Sequence, residues 1–261
     1  MPKPKSAVKK PSKVPASRMS FQDTMSALEK AGSAQTRKTY ARHGASEPMF
    51  GVSFATLKIL YKRIKVDQEL AEALWRTGNF DARNLAVKIA DPASISSREL
   101  DRWAATPTAR MCGGYVAYLA AESPHGRAKA DKWLAASDDS TRSTAWSLVA
   151  AMAMIDESMA DSWFAQRLAQ IEKSIHSAPN TQRYLMTGAL ISIGCRNASL
   201  RKSASAAAKR LGKIEVDHGD TDCKTPDAAE YIEKSWAHAK SKGFESPAAQ
   251  ERSRESMRTR C

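Results

Sequence analysis

A motif repeated at a fixed interval constrains the fold of this chain more than any other feature. The motif is an Asp, one variable residue and a Trp, and its three copies follow one another at intervals of 30 residues. The copies are Asp101 with Trp103, Asp131 with Trp133, and Asp161 with Trp163. A constant period of this length indicates a repeat protein, in which each unit buries its apolar face by stacking on its neighbours.

Each repeat unit has the pattern of a helical hairpin. After the first two copies, a second helical segment begins at a similar offset, at Arg110 and at Arg142. An Asp in a first helical turn would complement the helix dipole, and the Trp after it would pack on the next unit. Trp75, 28 residues before Trp103, is a weaker earlier copy that lacks the Asp. We interpret these tryptophans as core residues.

The rest of the chain also has the pattern of a helical protein. Residues that start or end helices (Gly, Pro, Ser, Asn and Asp) recur at short intervals, and alternating β-branched runs are few. The sequence therefore predicts an all-α, HEAT-like helical-repeat superhelix (an α-α solenoid). We expect the repeat domain at residues 19–240, a basic disordered tail at 1–18 and a basic C-terminal tail at 241–261. A superhelix of this size is expected to be a monomer.

The charge balance favours a polyanionic partner. The formal net charge is +13, and residues 1–18 and 240–261 carry +9 of it. Tails alone would give only nonspecific, salt-sensitive attraction to phosphates. The charge therefore favours nucleic acid without establishing where it binds.

Several classes of protein are disfavoured. An apolar run approaching about 18 residues is missing, so neither a membrane span nor a secretory signal is expected. The four cysteines are far apart and form no C-x-x-C pair, which indicates reduced thiols in a cytoplasmic protein, nucleoid-associated if bacterial. Neither a phosphate-binding glycine loop nor a G-x-S-x-G elbow is present, and no cofactor is expected.

Four collinear segments carry a family resemblance. They begin at Phe50, Leu74, Ile175 and Val216, and they include Phe50-Gly-Val-Ser-Phe, Asn79-Phe-Asp-Ala-Arg, Pro179-Asn-Thr-Gln-Arg and Val216-Asp-His-Gly-Asp. Together they resemble a divergent branch of the DNA alkylation repair family, the AlkD-like HEAT-repeat alkylpurine DNA glycosylases. The resemblance implies a superhelix that cradles double-stranded DNA, alkylated in the case of the active members. It also implies hydrolysis of the N-glycosidic bond of alkylated purines.

The chemistry implied by this resemblance lacks its usual residues here. Glycosidic cleavage needs a carboxylate near the developing positive charge on the sugar, and aromatic faces to hold a cationic base. Active members supply a Trp and an Asp four residues apart, where this chain has Ala109 and Gly113. At the place of a further Trp it has Gly188, whereas Arg142 is the nearest match to a family arginine. The catalytic residues are therefore unknown.

Substitutes for the missing groups are present nearby. Trp146 lies one turn after Arg142, and Asp138 and Asp139 offer carboxylates. Tyr115 and Tyr118 are alternative stacking groups. The same aspartates suit the N-cap of a helix equally well, and both interpretations stay open at this point.

Four basic residues are candidates for DNA contact. Arg110 and Arg142 occupy equivalent positions in two units, and could form a row of phosphate contacts or a solvated helix surface. Arg183 lies one turn inside a helix that follows Pro179, where it could join free N–H groups in binding a phosphate. Lys224 is the fourth candidate.

The segment from Asp217 to Cys223 crowds possible metal donors into one loop. It lacks standard zinc spacing, so we expect a turn at Gly219 and a helix N-cap at Thr225 instead of a metal site.

Two hypotheses for the function follow from the sequence. Our first hypothesis is a DNA-binding repair protein resembling alkylpurine glycosylases. The alternative is a non-catalytic helical-repeat scaffold that binds DNA or a protein partner.

Overall fold

The structure is a computed structural model that describes residues 18–259, except for the side chains of Arg110 and Met111. All regular structure in this range is helical, which confirms the predicted fold class. The helices are α1 (Phe21–Ala31), α2 (Ala34–Arg42), α3 (Phe54–Ile64), α4 (Gln68–Arg76), α5 (Phe80–Ile89), α6 (Ser97–Ala105), α7 (Arg110–Glu122), α8 (Gly126–Leu134), α9 (Asp139–Ile155), α10 (Asp161–Ser174), α11 (Asn180–Gly194), α12 (Ala198–Leu211), α13 (Ala228–Ser241), α14 (Pro247–Arg252) and a 3₁₀ turn, Met257–Thr259. Within the described residues, none of these helices has the length and apolarity that crossing a membrane requires.

Most helices begin where the sequence supplies a short polar side chain. Ser53 accepts a hydrogen bond from the Thr56 N–H, and Asn79 accepts two from the first turn of α5. Such caps satisfy backbone donors that have no partner inside the helix. Helices α7, α8, α10 and α11 begin without a side-chain cap.

The helices pack in two layers. An inner layer places α3, α5, α7, α9 and α11 side by side in that order, and α4, α6, α8, α10 and α12 form the outer layer. Helix α9 lies between α7 and α11 and beneath α8, so 11 of its 17 residues are buried. A helix enclosed on three sides needs small and apolar residues around most of its circumference, as its sequence has.

The repeated motif links neighbouring units of the outer layer. The indole N–H of Trp133 donates to Asp101 at 2.7 Å, and the indole N–H of Trp163 donates to Asp131 at 2.9 Å. Each Asp therefore accepts from the Trp of the next unit. The series ends at Asp161, whose partners are arginine and asparagine side chains that follow α11.

This arrangement corrects the expected role of the aspartates. Helices α6 and α8 begin at Ser97 and Gly126, so Asp101 and Asp131 lie in helix interiors. Only Asp161 of the three lies in a first turn, where it can complement the dipole. The first two instead serve as hydrogen-bond acceptors for the following unit.

The weaker earlier copy also belongs to the stack. Trp75 packs parallel to Trp103 with ring centroids 4.3 Å apart, and both are buried. Trp103 Nε1 is buried without a hydrogen-bond partner among the described residues. The missing Asp before Trp75 accounts for this unsatisfied donor.

Asp81 joins two of the segments on which the family resemblance rests. Its carboxylate is fully buried and accepts backbone hydrogen bonds from Phe50 (2.6 Å), Gly51 (3.0 Å) and Val52 (2.8 Å). The charge is stabilised by three donors in place of a cation. The loop before α3 is thereby fixed to the start of α5.

Residues beyond the expected domain boundary at 240 pack against the helical repeat. Residues 246–259, which we call the C-terminal strap, cross the C-terminal ends of the inner helices. The Ala248 N–H donates to the Cys195 carbonyl, Arg252 donates to the Met154 carbonyl, and Arg258 donates to the carbonyls of Val87 and Lys88. Carbonyls at helix ends lack internal donors, and arginines supply them. Residues 1–17 of the predicted N-terminal tail, and residues 260–261, lie outside the described residues.

Candidate nucleic-acid interface

A groove runs along the inner layer on the side where α7, α9 and α11 begin. It comprises three adjoining cavities of about 400, 570 and 270 Å³, which we call the polar pocket, the aromatic chamber and the outer pocket. The polar pocket and the chamber share Gly114 and Ser147, and the chamber and the outer pocket share Ala109 and His218. Its floor consists of small residues: Gly113, Gly114, Ser140, Ser143, Thr144 and Ser147.

The candidate carboxylates lie in the polar pocket and already have protein partners. Asp138 caps α9 by accepting the Thr141 N–H at 2.8 Å. Asp139 accepts a 2.6 Å hydrogen bond from the buried amide of Gln182 on α11. The N-cap interpretation is therefore confirmed for Asp138, and Asp139 ties α9 to α11.

Trp146 is a core residue, in contrast to its candidate role near a damaged base. Only 3% of its surface is exposed, and it packs in the hydrophobic core. Its position on α9 faces away from the groove floor, because the floor residues of α9 are Ser143, Thr144 and Ser147. A base could reach Trp146 only after the core had opened.

Other aromatic side chains line the chamber. Three edge-to-face pairs surround it: Tyr40 with Phe80 at 5.3 Å, Tyr115 with Tyr118 at 6.1 Å, and Tyr184 with His218 at 5.7 Å. Tyr115 and Tyr118 were alternatives in the sequence analysis, whereas the other four were missed. They come from α2, α5, α11 and the loop of residues 212–227 after α12, and no local pattern indicates that these segments converge.

Arg183 holds the loop of residues 212–227 against α11. Its guanidinium donates to the carbonyls of Glu215 (2.7 Å) and Ala178 (3.0 Å). Asn180 adds two hydrogen bonds to the backbone of Asp217, at 2.7 and 2.8 Å. Arg183 was predicted to contact phosphate, but the structure uses its donors to position this wall of the groove.

The remaining basic candidates are distributed differently from the expected row. Arg142 is half-buried in the first turn of α9 and is absent from the described groove lining. Lys224 is exposed beside Cys223, which lines the chamber. Arg110 begins α7, but its side chain lies outside the described residues.

The groove is not the strongly cationic surface that the sequence suggested. Among its described lining residues, the Arg, Lys, Asp and Glu side chains are Arg42, Asp138, Asp139 and Asp217. The formal charges of these side chains sum to −2, so apart from Arg42 the groups that can attract a phosphate are backbone N–H groups at two helix starts. Helices α7 and α11 begin at the outer pocket without side-chain caps, next to Arg42. Unsatisfied N–H groups at such ends attract anions.

The loop of residues 212–227 has the conformation of a structural turn. Gly219 adopts φ +58°, as expected, and His218 Nε2 lies 2.9 Å from the Thr225 hydroxyl. The cap of α13 is Asp227, two residues later than the expected Thr225. Among the described residues, no three His, Cys, Asp or Glu side chains converge as metal ligands would.

Burial makes two of the thiols unreactive. It raises the pKa of Cys112 to about 12 and that of Cys195 to about 11. Cys223 is exposed at the mouth of the chamber.

The comparison with known proteins agrees with this architecture. The family model described as "DNA alkylation repair enzyme" matches residues 24–232. The uncharacterised proteins Lin0241 of Listeria innocua and Lmo0209 of Listeria monocytogenes are 28% and 27% identical over 224 residues, which is 83% of this chain and 97% of each relative.

A solved structure extends the comparison to three dimensions. It comes from a protein described as one of a new family related to the HEAT-like repeat DNA glycosylases, with affinity for branched DNA structures. The two structures share a TM-score of 0.78 and 32% identity, over 88% of this chain and 98% of that one. The predicted HEAT-like superhelix is thereby confirmed, and the chain belongs to the DNA alkylation repair enzyme family.

Proposed function

We propose that this protein binds branched DNA in the groove and does not release alkylated bases. The observation that carries the proposal is the open groove at the starts of α7 and α11, where uncapped helix ends adjoin a chamber walled by aromatic rings. Backbone N–H groups suit phosphates and aromatic faces suit bases. The related protein of known structure, with affinity for branched DNA, supports the choice of ligand.

The phosphate contacts would come mainly from the rim of the groove. Arg42 lines the outer pocket beside the two helix starts, and Lys224 is exposed on the opposite loop. A strand entering between them would meet one basic side chain on each side. Phosphate contacts position DNA without reading its sequence, which suits recognition by shape.

The groove gives little support to hydrolysis of a glycosidic bond. Ala109 and Gly113 stand where active family members carry Trp and Asp, and the two nearby aspartates are engaged with protein donors. Without a carboxylate at the sugar, the positive charge of the transition state has no stabilising partner.

A binding titration tests the proposal. Labelled four-way and three-way junctions and a linear duplex of equal length are titrated at several salt concentrations, with fluorescence anisotropy as the readout. We expect junctions to bind at least about tenfold more tightly than the duplex, a difference of about 1.4 kcal/mol. Equal affinity for junction and duplex would overturn the proposal.

Two arginine variants locate the interaction. Arg42→Ala removes a side chain of the outer pocket and should weaken junction binding several-fold. Arg210→Ala is the matched control, because Arg210 lies on the outer helix α12 and pairs with Glu172.

A separate incubation tests for base release. Duplex containing 7-methylguanine should yield no free base when it is incubated with the protein. Release at an enzymatic rate would contradict the proposal that the protein does not release alkylated bases.

A further inference from the structure

We infer that the aromatic chamber holds one unpaired, uncharged nucleobase from the branch point of the bound DNA. This inference rests on the proposed function and names the part of the DNA that the chamber takes. The first observation that supports it is the aromatic character of the chamber walls. Rings from α2, α5, α7, α11 and the loop of residues 212–227 converge on a space of about 570 Å³. A cavity of this size is large enough for a flat heterocycle.

The floor of the chamber is kept open at a cost in helix stability. Gly114 lies inside α7, and the position where its Cβ would stand has no neighbouring atom within 4 Å. Glycine disfavours the helical state relative to alanine, and local packing at this site gives no compensating reason for it. The chamber therefore keeps room directly above the α7 backbone, as a ligand in close approach would need.

The charges around the chamber favour a neutral base over a cationic one. Its described lining includes no Asp, Glu, Lys or Arg side chain, so a cation entering it would meet no counter-charge. Beneath one wall, the Nζ atom of the buried Lys88 lies 3.8 Å from the centroid of the Tyr115 ring and 2.9 Å from the Arg258 carbonyl. Lys88 thus already occupies one face of this ring, which offers less attraction to a second cation.

Stacking on the tyrosine and histidine rings is thus the main interaction the chamber offers. Stacking tolerates any base but requires that the base be free of its neighbours in the duplex. Unpaired nucleotides at a branch point meet this condition with little unstacking cost, whereas bases within a linear duplex do not. The chamber would therefore contribute to structure-selective binding without reading sequence.

The test compares two three-way junctions that differ by one unpaired 2-aminopurine at the branch point. Affinity is measured by anisotropy of a distal label, and stacking by 2-aminopurine fluorescence. We expect the junction with the unpaired base to bind about tenfold more tightly, with quenched fluorescence in the complex. Equal affinity for both junctions would overturn the inference even where both bind better than duplex, which separates its failure from that of the proposed function.

Tyrosine variants connect the effect to the chamber. In Tyr118→Leu and Tyr184→Leu, the ratio of affinities for the junctions with and without the unpaired base should fall to about one. The corresponding Phe variants should retain the gain from the unpaired base, because stacking needs the ring and not the hydroxyl. Tyr231→Leu is the control, since Tyr231 is 51% exposed on α13. Persistence of the gain in both Leu variants would refute the role of the chamber.

Two further arms define the ligand. An unpaired 7-methylguanine, which is cationic, should bind less tightly than an unpaired guanine at the same position; the reverse order would contradict the preference for a neutral base. The fluorescence of the free 2-aminopurine nucleoside should not change when the protein is added, at nucleoside concentrations up to the millimolar range. Saturable quenching at micromolar nucleoside would show that the chamber serves a small metabolite instead.

Discussion

At the scale of single residues, Asp101 joins two units of the repeat through charge as well as geometry. Besides the Trp133 indole, its carboxylate binds Lys129 at 2.7 Å and Lys132 at 2.8 Å. Burial alone would raise the pKa of Asp101, but the hydrogen bonds from Lys129, Lys132 and Trp133 outweigh it and lower the pKa to about 2. The ionised carboxylate is thus the form that stabilises the fold.

This pKa predicts a stability that depends on pH. Because the folded pKa is about 2 and the ordinary value 3.8, the contribution is complete above pH 4 and is lost as the pH falls through 2. Asp101→Asn should cost about 2 kcal/mol at pH 7, and the difference from wild type should shrink by about 1 kcal/mol at pH 3. Urea unfolding at pH 7, 5 and 3 measures this difference in the free energy of unfolding. A difference that stays constant with pH would contradict the assignment.

Arg183 and Lys224 should respond differently to salt. Arg183→Ala releases the loop that carries Glu215, so it should weaken junction binding without changing the dependence of log K on log salt concentration. Lys224→Ala removes an exposed charge at the groove and should reduce that slope by about 1. Titrations at four salt concentrations separate the two. A lower slope for Arg183→Ala would restore its predicted phosphate contact.

The sequence alone predicted the role of Asp138 but not the roles of Arg183 and Trp146, and the difference has a physical reason. Asp138 as an N-cap follows from a local rule, because a cap bonds only within its own turn. Arg183 and Trp146 did not follow, since their roles depend on partners more than 30 residues away and on which face of a helix becomes core. The rings of the aromatic chamber come from five separate segments, so its position could not be read from any one of them.

At the scale of helices, two helical glycines give a test of packing. Gly114→Ala should stabilise the protein by about 0.5–1 kcal/mol, because the helix gains propensity and the added methyl group meets no atom. Gly126→Ala is the matched comparison at the start of α8, where a Cβ would lie 2.8 Å from the Ala120 carbonyl oxygen. It should destabilise instead. Thermal unfolding of both variants checks the opposite signs, and stabilisation by both would show that the space around Gly126 can relax.

The C-terminal strap should be essential to the inner layer. Arg258 is 5% exposed, pairs with Glu122 at 2.8 Å and donates to two carbonyls at the end of α5. Removing a buried member of such a pair leaves its partners unsatisfied, so Arg258→Ala should cost about 3–4 kcal/mol. Arg254→Ala is the control, because Arg254 is 45% exposed and pairs only loosely with Glu251 at 3.5 Å. Urea unfolding gives both values, and equal small losses would mean that the strap is not held by Arg258.

The strap also shows that the composition of a segment alone does not determine whether it is a solvated tail or packs on the fold. Residues 240–261 have six basic and three acidic side chains, a pattern typical of a solvated tail. Arginines at spaced positions can equally cap the carbonyl ends of a row of helices, and only the arrangement of those helices decides between the two. By contrast, the 30-residue motif predicted the stacking of units correctly, because a periodic sequence implies a periodic contact.

At the scale of the whole molecule, charge and shape are carried by different parts of the chain. Residues 1–17 contain five Lys and no acidic residue, whereas the described lining of the groove has one Arg against three Asp side chains. The folded body accordingly offers shape, helix ends and aromatic faces, and the basic N-terminal segment offers attraction to any phosphate backbone. Affinity and structural selectivity should therefore be separable by deletion.

Deleting residues 1–17 should weaken binding to junctions and to linear duplex by the same factor. The salt slope should fall by up to about 0.9 for each phosphate that the five lysines contact, while the ratio of junction to duplex affinity should stay within about twofold. Anisotropy titrations of the full chain and of residues 18–261 at matched salt concentrations measure both quantities. Loss of the junction preference on deletion would place structural selectivity in the N-terminal segment and not in the groove, because a groove that recognises shape retains its preference when nonspecific attraction is removed.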